Sequence, residues 1–152
     1  MVKEKDFQFK MGKLIMVSNI VIFVLVALGY VFKGFADDDE VSAVLKLLAP
    51  INSIYMAAVI KYMISQKNVV ETDEETNEDK PKPVLINKGY ATITQIIIYF
   101  HFVALVFLIG AKVLGAMGSI DTLTTSIAIL ETFFGAYVGT IIVDLFSGSK
   151  EN

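Results

Sequence analysis

The chain contains no cysteine, no tryptophan and no arginine, and only one histidine. Without cysteine there is no disulfide, thiolate zinc site, iron–sulfur cluster or thiol nucleophile. One histidine excludes a multi-histidine metal site within one chain. Without arginine there is no bidentate guanidinium clamp for phosphate or carboxylate. A net charge of -3 argues against nucleic acid as a partner. No glycine-rich phosphate loop, Ser-His-Asp set or metal-ligand spacing occurs, so neither an enzyme activity nor a cofactor or metal is expected.

What the sequence has in excess is apolar residues. Of 152 residues, 55% are hydrophobic and 19% charged, and the mean hydropathy is +0.62. These values lie outside the range of soluble globular domains. The apolar residues gather into four runs, over about 14–32, 41–64, 91–114 and 123–146. Each is long enough to cross ~30 Å of hydrocarbon as a helix of about 20 residues. Only helices satisfy their own backbone in lipid, and the period-two alternation of a barrel is missing. The first run is too long for a signal peptide and lacks a small-x-small cleavage site, so it is expected to stay as a span. The fold class expected is therefore all-α: a polytopic integral membrane protein with four transmembrane helices arranged as two hairpins.

Lysine placement orients them. Four lysines precede the first run, five lie at or between the second and third, and Lys150 follows the fourth. Lys33, Lys46 and Lys112 remain for the other side. The positive-inside rule then places both termini in the cytoplasm, in the inner membrane of a bacterium. Residues 1–13 become a cytoplasmic segment and 14–65 the first hairpin, with an outer turn at about 33–40. Residues 66–89 form a cytoplasmic linker. The second hairpin takes 90–146, with an outer turn at about 115–121, and 147–152 form a tail. The stretch ETDEETNEDKPKP within the linker is acid-rich and proline-bearing, and reads as a tether.

A faint repeat joins the hairpins. Ser18-Asn19-Ile20-Val21-Ile22-Phe23 and Thr94-Gln95-Ile96-Ile97-Ile98-Tyr99 share a hydroxyl, an amide, three aliphatics and an aromatic. A duplication giving two parallel hairpins would look like this. Tyr30, Tyr62 and Tyr90 mark interfaces. Tyr55, Tyr99 and Tyr137 lie deeper and are expected to find hydrogen-bond partners inside the bundle.

Few residues in the spans carry chemistry. Glu131 is well inside the fourth, where an ionised carboxylate costs several kcal/mol unless paired, hydrated or protonated. Glu131, Gly135 and Gly139 share a helix face, and Gly135-Ala-Tyr-Val-Gly139 is a small-xxx-small motif suited to close helix packing. His101 lies near the middle of the third span, where an imidazole can shuttle protons. Depth counting separates it from Glu131 by several Å, so contact requires tilt or water. In the second span, Lys46, Pro50 and Ser53 share a face beside Asn52. Pro50 frees a carbonyl near Lys46 and kinks the helix. Lys46 either neutralises Glu131 or snorkels outward.

These features point to a small homo-oligomeric protein that conducts or couples to ions, as a channel or transport subunit. Glu131 stands in the path, with His101, Lys46, Asn52 and Gln95 as supporting polar residues and Gly135, Gly139 and Pro50 shaping helix packing. The partners expected are the lipid bilayer and further copies of the chain. The alternative is a non-conducting membrane component, in assembly, immunity or phage defence, that docks a soluble protein on its cytoplasmic side. The topology has a direct test, because the cysteine-free chain gives no labelling background. A cysteine at Asp38 should react with an impermeant thiol reagent from outside intact cells, and one at Asn77 should not. The reverse pattern would overturn the orientation.

Overall fold

The computed structural model describes residues 1–73 and 85–146, with the side chains of 65–73, 137–138 and 141–146 outside the description. The tether from 74 to 84 and the tail from 147 to 152 also lie outside the described residues, as does the side chain of Tyr137. The chain is almost wholly helical: α1 is Glu4–Val31, α2 Asp38–Asp73, α3 Lys88–Val113 and α4 Ile120–Phe146. Two short strands, β1 (Val2–Lys3) and β2 (Leu85–Ile86), pair antiparallel. Among the described residues three helical stretches, Glu4–Val31, Asp38–Ile64 and Lys88–Val113, are long and apolar enough to cross a membrane.

The helices outrun the apolar segments. α1 begins ten residues before Leu14, and α2 continues nine residues past Ile64. Helix propagation needs only one further hydrogen bond per residue once nucleated, so polar flanks extend a helix that the apolar run has begun. The expected cytoplasmic segment 1–13 is thus mostly the first turns of α1. The expected linker from Gln66 starts as helix and ends in β2.

The helix ends are set by local chemistry. Asp37 Oδ1 accepts from Glu40 N–H at 2.9 Å, and Glu40 Oε2 accepts from Ala36 N–H at 2.8 Å, so the start of α2 is capped reciprocally. Asn87 caps α3 by accepting from Gly89 N–H at 2.7 Å. α1 and α3 close alike. Lys33 (φ 58°) and Gly115 (φ 75°) take the left-handed conformation, and Gly34 N–H and Ala116 N–H reach back to Gly29 O and Ala111 O, each at 2.8 Å. Both hairpins turn on the same Schellman closure.

Packing runs around a ring in the order α1–α2–α4–α3. α1 and α3 run parallel, since both leave the β1–β2 pair at one end. Lys10 Nζ donates to Gln95 Oε1 at 3.5 Å near that end, and Gly29 meets Val113 near the other. Tyr55 and Gly135 pair α2 with α4 in the same sense. Two parallel hairpins result, as the repeat suggested. The register differs: it sets Ser18 beside residues 102–103, not beside Thr94, so the two motifs stand about 12 Å apart in height.

The hairpins meet closely at the far end. A Cβ on Gly34 would lie 2.7 Å from the Val113 backbone. There Lys112, 4% exposed, donates to Glu40 Oε1 at 3.2 Å and to Gly118 O at 3.1 Å. This clasp ties α3 to the start of α2. The outward faces are apolar, with Ile20, Val103, Phe107 and Phe133 all exposed, as lipid-facing surfaces are.

Breaking the clasp from one side should destabilise the bundle. Lys112→Met leaves Glu40 charged and largely enclosed, a loss of about 3 kcal/mol in reversible unfolding in detergent. Adding Glu40→Met should restore most of it. An unchanged single variant would mean that the pair is solvated.

Candidate functional site

Every helix turns one stripe inward at steps of three or four residues. On α1 the stripe includes Ile15, Asn19, Ile22, Val26 and Gly29, and on α3 Thr94, Ile98, His101, Leu105, Ile109 and Lys112. This is the spacing of left-handed bundle packing. Gln8, Thr94 and Lys112 are buried nearer the bundle ends, but at one height in the middle every helix supplies a buried polar side chain: Asn19, Asn52, His101 and Glu131.

The register fixes that height. Counted at about 1.5 Å per residue from the clasp end, Asn19 lies about 15 Å below Gly29, His101 about 18 Å below Val113, Asn52 about 18 Å below Glu40 and Glu131 about 17 Å below Ile120. The four therefore form a single layer in mid-bundle. At its centre His101 Nε2 stands 3.5 Å from Glu131 Oε1, both side chains being almost completely enclosed. The separation expected from depth counting is not observed. α4 begins at Ile120, three residues before its apolar run, so His101 and Glu131 sit almost equally far from the turn they share.

The pair is in ion-pair reach without hydrogen-bond geometry. Both imidazole nitrogens and both Glu131 oxygens lack a hydrogen-bond partner among the described residues, as do both polar atoms of Asn52 and Asn19 Oδ1. Asn19 Nδ2 is satisfied by Ile15 O at 2.9 Å. Seven unpartnered polar atoms in one layer is unusual, because buried polar groups are nearly always hydrogen-bonded. Tyr55 borders the layer, with its ring edge-on to His101 at 6.4 Å and its hydroxyl donating to Gly135 O at 3.5 Å.

The layer is sealed on the clasp side. Ile22, Leu48, Leu105 and Ile127, one from each helix, form the next layer, and Val26, Val44, Ile109 and Leu123 the one beyond. All are 2% exposed or less. On the strand side the core keeps polar groups: Thr94, whose hydroxyl has no partner among the described residues, and Gln8 near the bundle end.

The expected site residues divide accordingly. Glu131, His101 and Asn52 come together, and Glu131 points into its own bundle. Lys46 is exposed on α2 with Pro50 and Ser53, away from Glu131. Gln95 lies about 9 Å further toward the strand end than His101, where it accepts from Lys10. Tyr99 faces outward. At Gly135 a Cβ would sit 3.6 Å from both Glu131 Oε2 and Tyr55 Oη, whereas at Gly139 it would meet nothing within 4 Å among the described residues. Asn19 and Tyr55 complete the site, although the sequence presents Asn19 only as part of a repeat and Tyr55 only as a deep tyrosine. The missed signal is that Asn19 interrupts a long apolar run, as Asn52, His101 and Glu131 do.

Comparison with protein-family models, curated proteins and solved structures finds no match.

The open space at Gly139 makes a distinguishing prediction. Gly139→Ala should raise unfolding stability by about 0.5–1 kcal/mol, the helix-interior penalty of glycine. A loss of stability together with a change in particle mass would instead place Gly139 against a second copy of the chain.

Proposed function

We propose that this is an ion-translocating membrane protein whose path runs through its own four-helix bundle, with Glu131 and His101 as the ion-binding pair. All four helices span the membrane in this reading. The strand end, with both termini and the tether, faces the cytoplasm of a bacterial cell. The observation that carries the proposal is the mid-bundle layer: a carboxylate and an imidazole 3.5 Å apart, enclosed and without hydrogen-bond partners among the described residues. Ionisable side chains inside a membrane bundle usually mark ion or proton pathways. The apolar layers on the clasp side act as a hydrophobic gate that conducts only when wetted. Because Glu131 is directed inward, the path does not require a ring of carboxylates from several copies.

The extension of α2 to Asp73 favours a second reading, in which this helical arm receives a soluble protein and nothing is conducted.

Proteoliposomes separate the two. Under an imposed potential, wild type should pass ions. Glu131→Gln, correctly folded by circular dichroism, should fall to the level of protein-free vesicles. Gln95→Ala, outside the layer, should keep most of the flux. Equal flux in wild type and Glu131→Gln would overturn the role of Glu131. Wild-type vesicles that pass no cation, anion or proton would favour the docking reading.

A further inference from the structure

The unpartnered atoms of the mid-bundle layer also bear on which ion is bound. They are a mixture of donors and acceptors. Asn19 Oδ1, Asn52 Oδ1 and the Glu131 oxygens accept, while Asn52 Nδ2 donates and neutral His101 presents one donor and one acceptor. A metal cation is held only by acceptors, so it would leave the Asn52 N–H groups and the imidazole N–H without a partner. Among the described residues no three carboxylate or imidazole groups gather as metal ligands do. Water satisfies both kinds of group, typically through about three hydrogen bonds per molecule. The fold also leaves space for it. Gly135 lacks the Cβ that would fill the gap between Glu131 Oε2 and Tyr55 Oη, 3.6 Å from each.

We infer that the mid-bundle layer is a hydrated proton site: bound water bridges Asn19 and Asn52 to His101 and Glu131, and the ion the pair exchanges is the proton. His101 and Glu131 together hold one proton without net charge, either as imidazole and carboxylic acid or as imidazolium and carboxylate. Moving that proton between them through water breaks an O–H bond on one side and forms an N–H bond on the other, with no charge gained by the layer. The groups facing His101 are few. α4 presents Glu131, and α2 presents Tyr55 and Asn52. α1 presents no titratable group at this height, only Ile15, Asn19 and Ile22. On α3 itself the neighbours along the stripe are Ile98 and Leu105. The inference deepens the ion-translocation reading, but its test needs no flux.

With one histidine in the chain, the imidazole nitrogens of His101 give a single set of resonances. In nanodiscs of ¹⁵N-histidine protein, polarisation should pass from water to the His101 imidazole. The Asn19→Leu/Asn52→Leu variant should lose that transfer while keeping its helical circular dichroism, and Gly135→Ala should weaken it. The imidazole shifts should move with pH in wild type and stay fixed at constant pH when K⁺ is exchanged for Na⁺ or Li⁺. No transfer from water at any pH would overturn the hydrated site. A shift that follows Na⁺ or Li⁺ at fixed pH would show a metal-cation site instead. Should the double variant fail to fold, Gly135→Ala alone decides, because its methyl group fits at ordinary contact distance. Full transfer in that variant would place the water elsewhere. A hydrated, titrating His101 in a protein that passes no ions would leave this inference standing and remove the ion-translocation reading.

Discussion

In hydrocarbon an apolar side chain is as comfortable against lipid as against protein, so burial of leucine or isoleucine does little to bring helices together. For helices long and apolar enough to cross a membrane, as three are among the described residues, that constraint bears on what holds the bundle. Specificity falls to groups that lipid cannot serve: the Lys112–Glu40 clasp, the glycines that admit Val113, the Tyr55–Gly135 contact and the strand pair at the opposite end. These contacts fix the rotation of each helix. The rotation in turn sends Asn19, Asn52, His101 and Glu131 into one interior layer. The unusual interior and the ordinary exterior therefore have one cause.

The same constraint explains what could be read from the sequence. Four apolar runs, two hairpins and the prominence of Glu131 and His101 were visible, because hydropathy reports what crosses a membrane and which residues are costly there. Helix faces were not. When the lipid side and the core side are both Ile, Val, Leu and Phe, no amphipathic period marks the inward stripe. Only the polar interruptions record it. Lys46 and Gln95 looked similar to Asn52 in a list of polar residues, yet one is exposed and the other stands near the bundle end. The contact between His101 and Glu131 depends on where the turn lets α4 begin. Three residues there amount to almost one helical turn, which depth counting from apolar runs does not resolve.

The two hairpins lie side by side and parallel. α1 corresponds to α3 and α2 to α4, and each hairpin turns on the same left-handed closure. The polar residues follow the correspondence: Asn19 stands where His101 does, and Asn52 where Glu131 does. One hairpin presents two neutral amides and the other two ionisable groups. The faint sequence repeat at another register is then a coincidence of apolar composition.

The strand pair has a consequence for how the molecule is made. Val2–Lys3 has no strand partner until Leu85–Ile86 has been synthesised. Until then α1 and α2 have only each other to pack against, and Asn19 and Asn52 lack the two helices that enclose them. Residues 85–86 then pair with the amino terminus and hold the second hairpin beside the first. The polar layer can therefore close only when the last helix is in place.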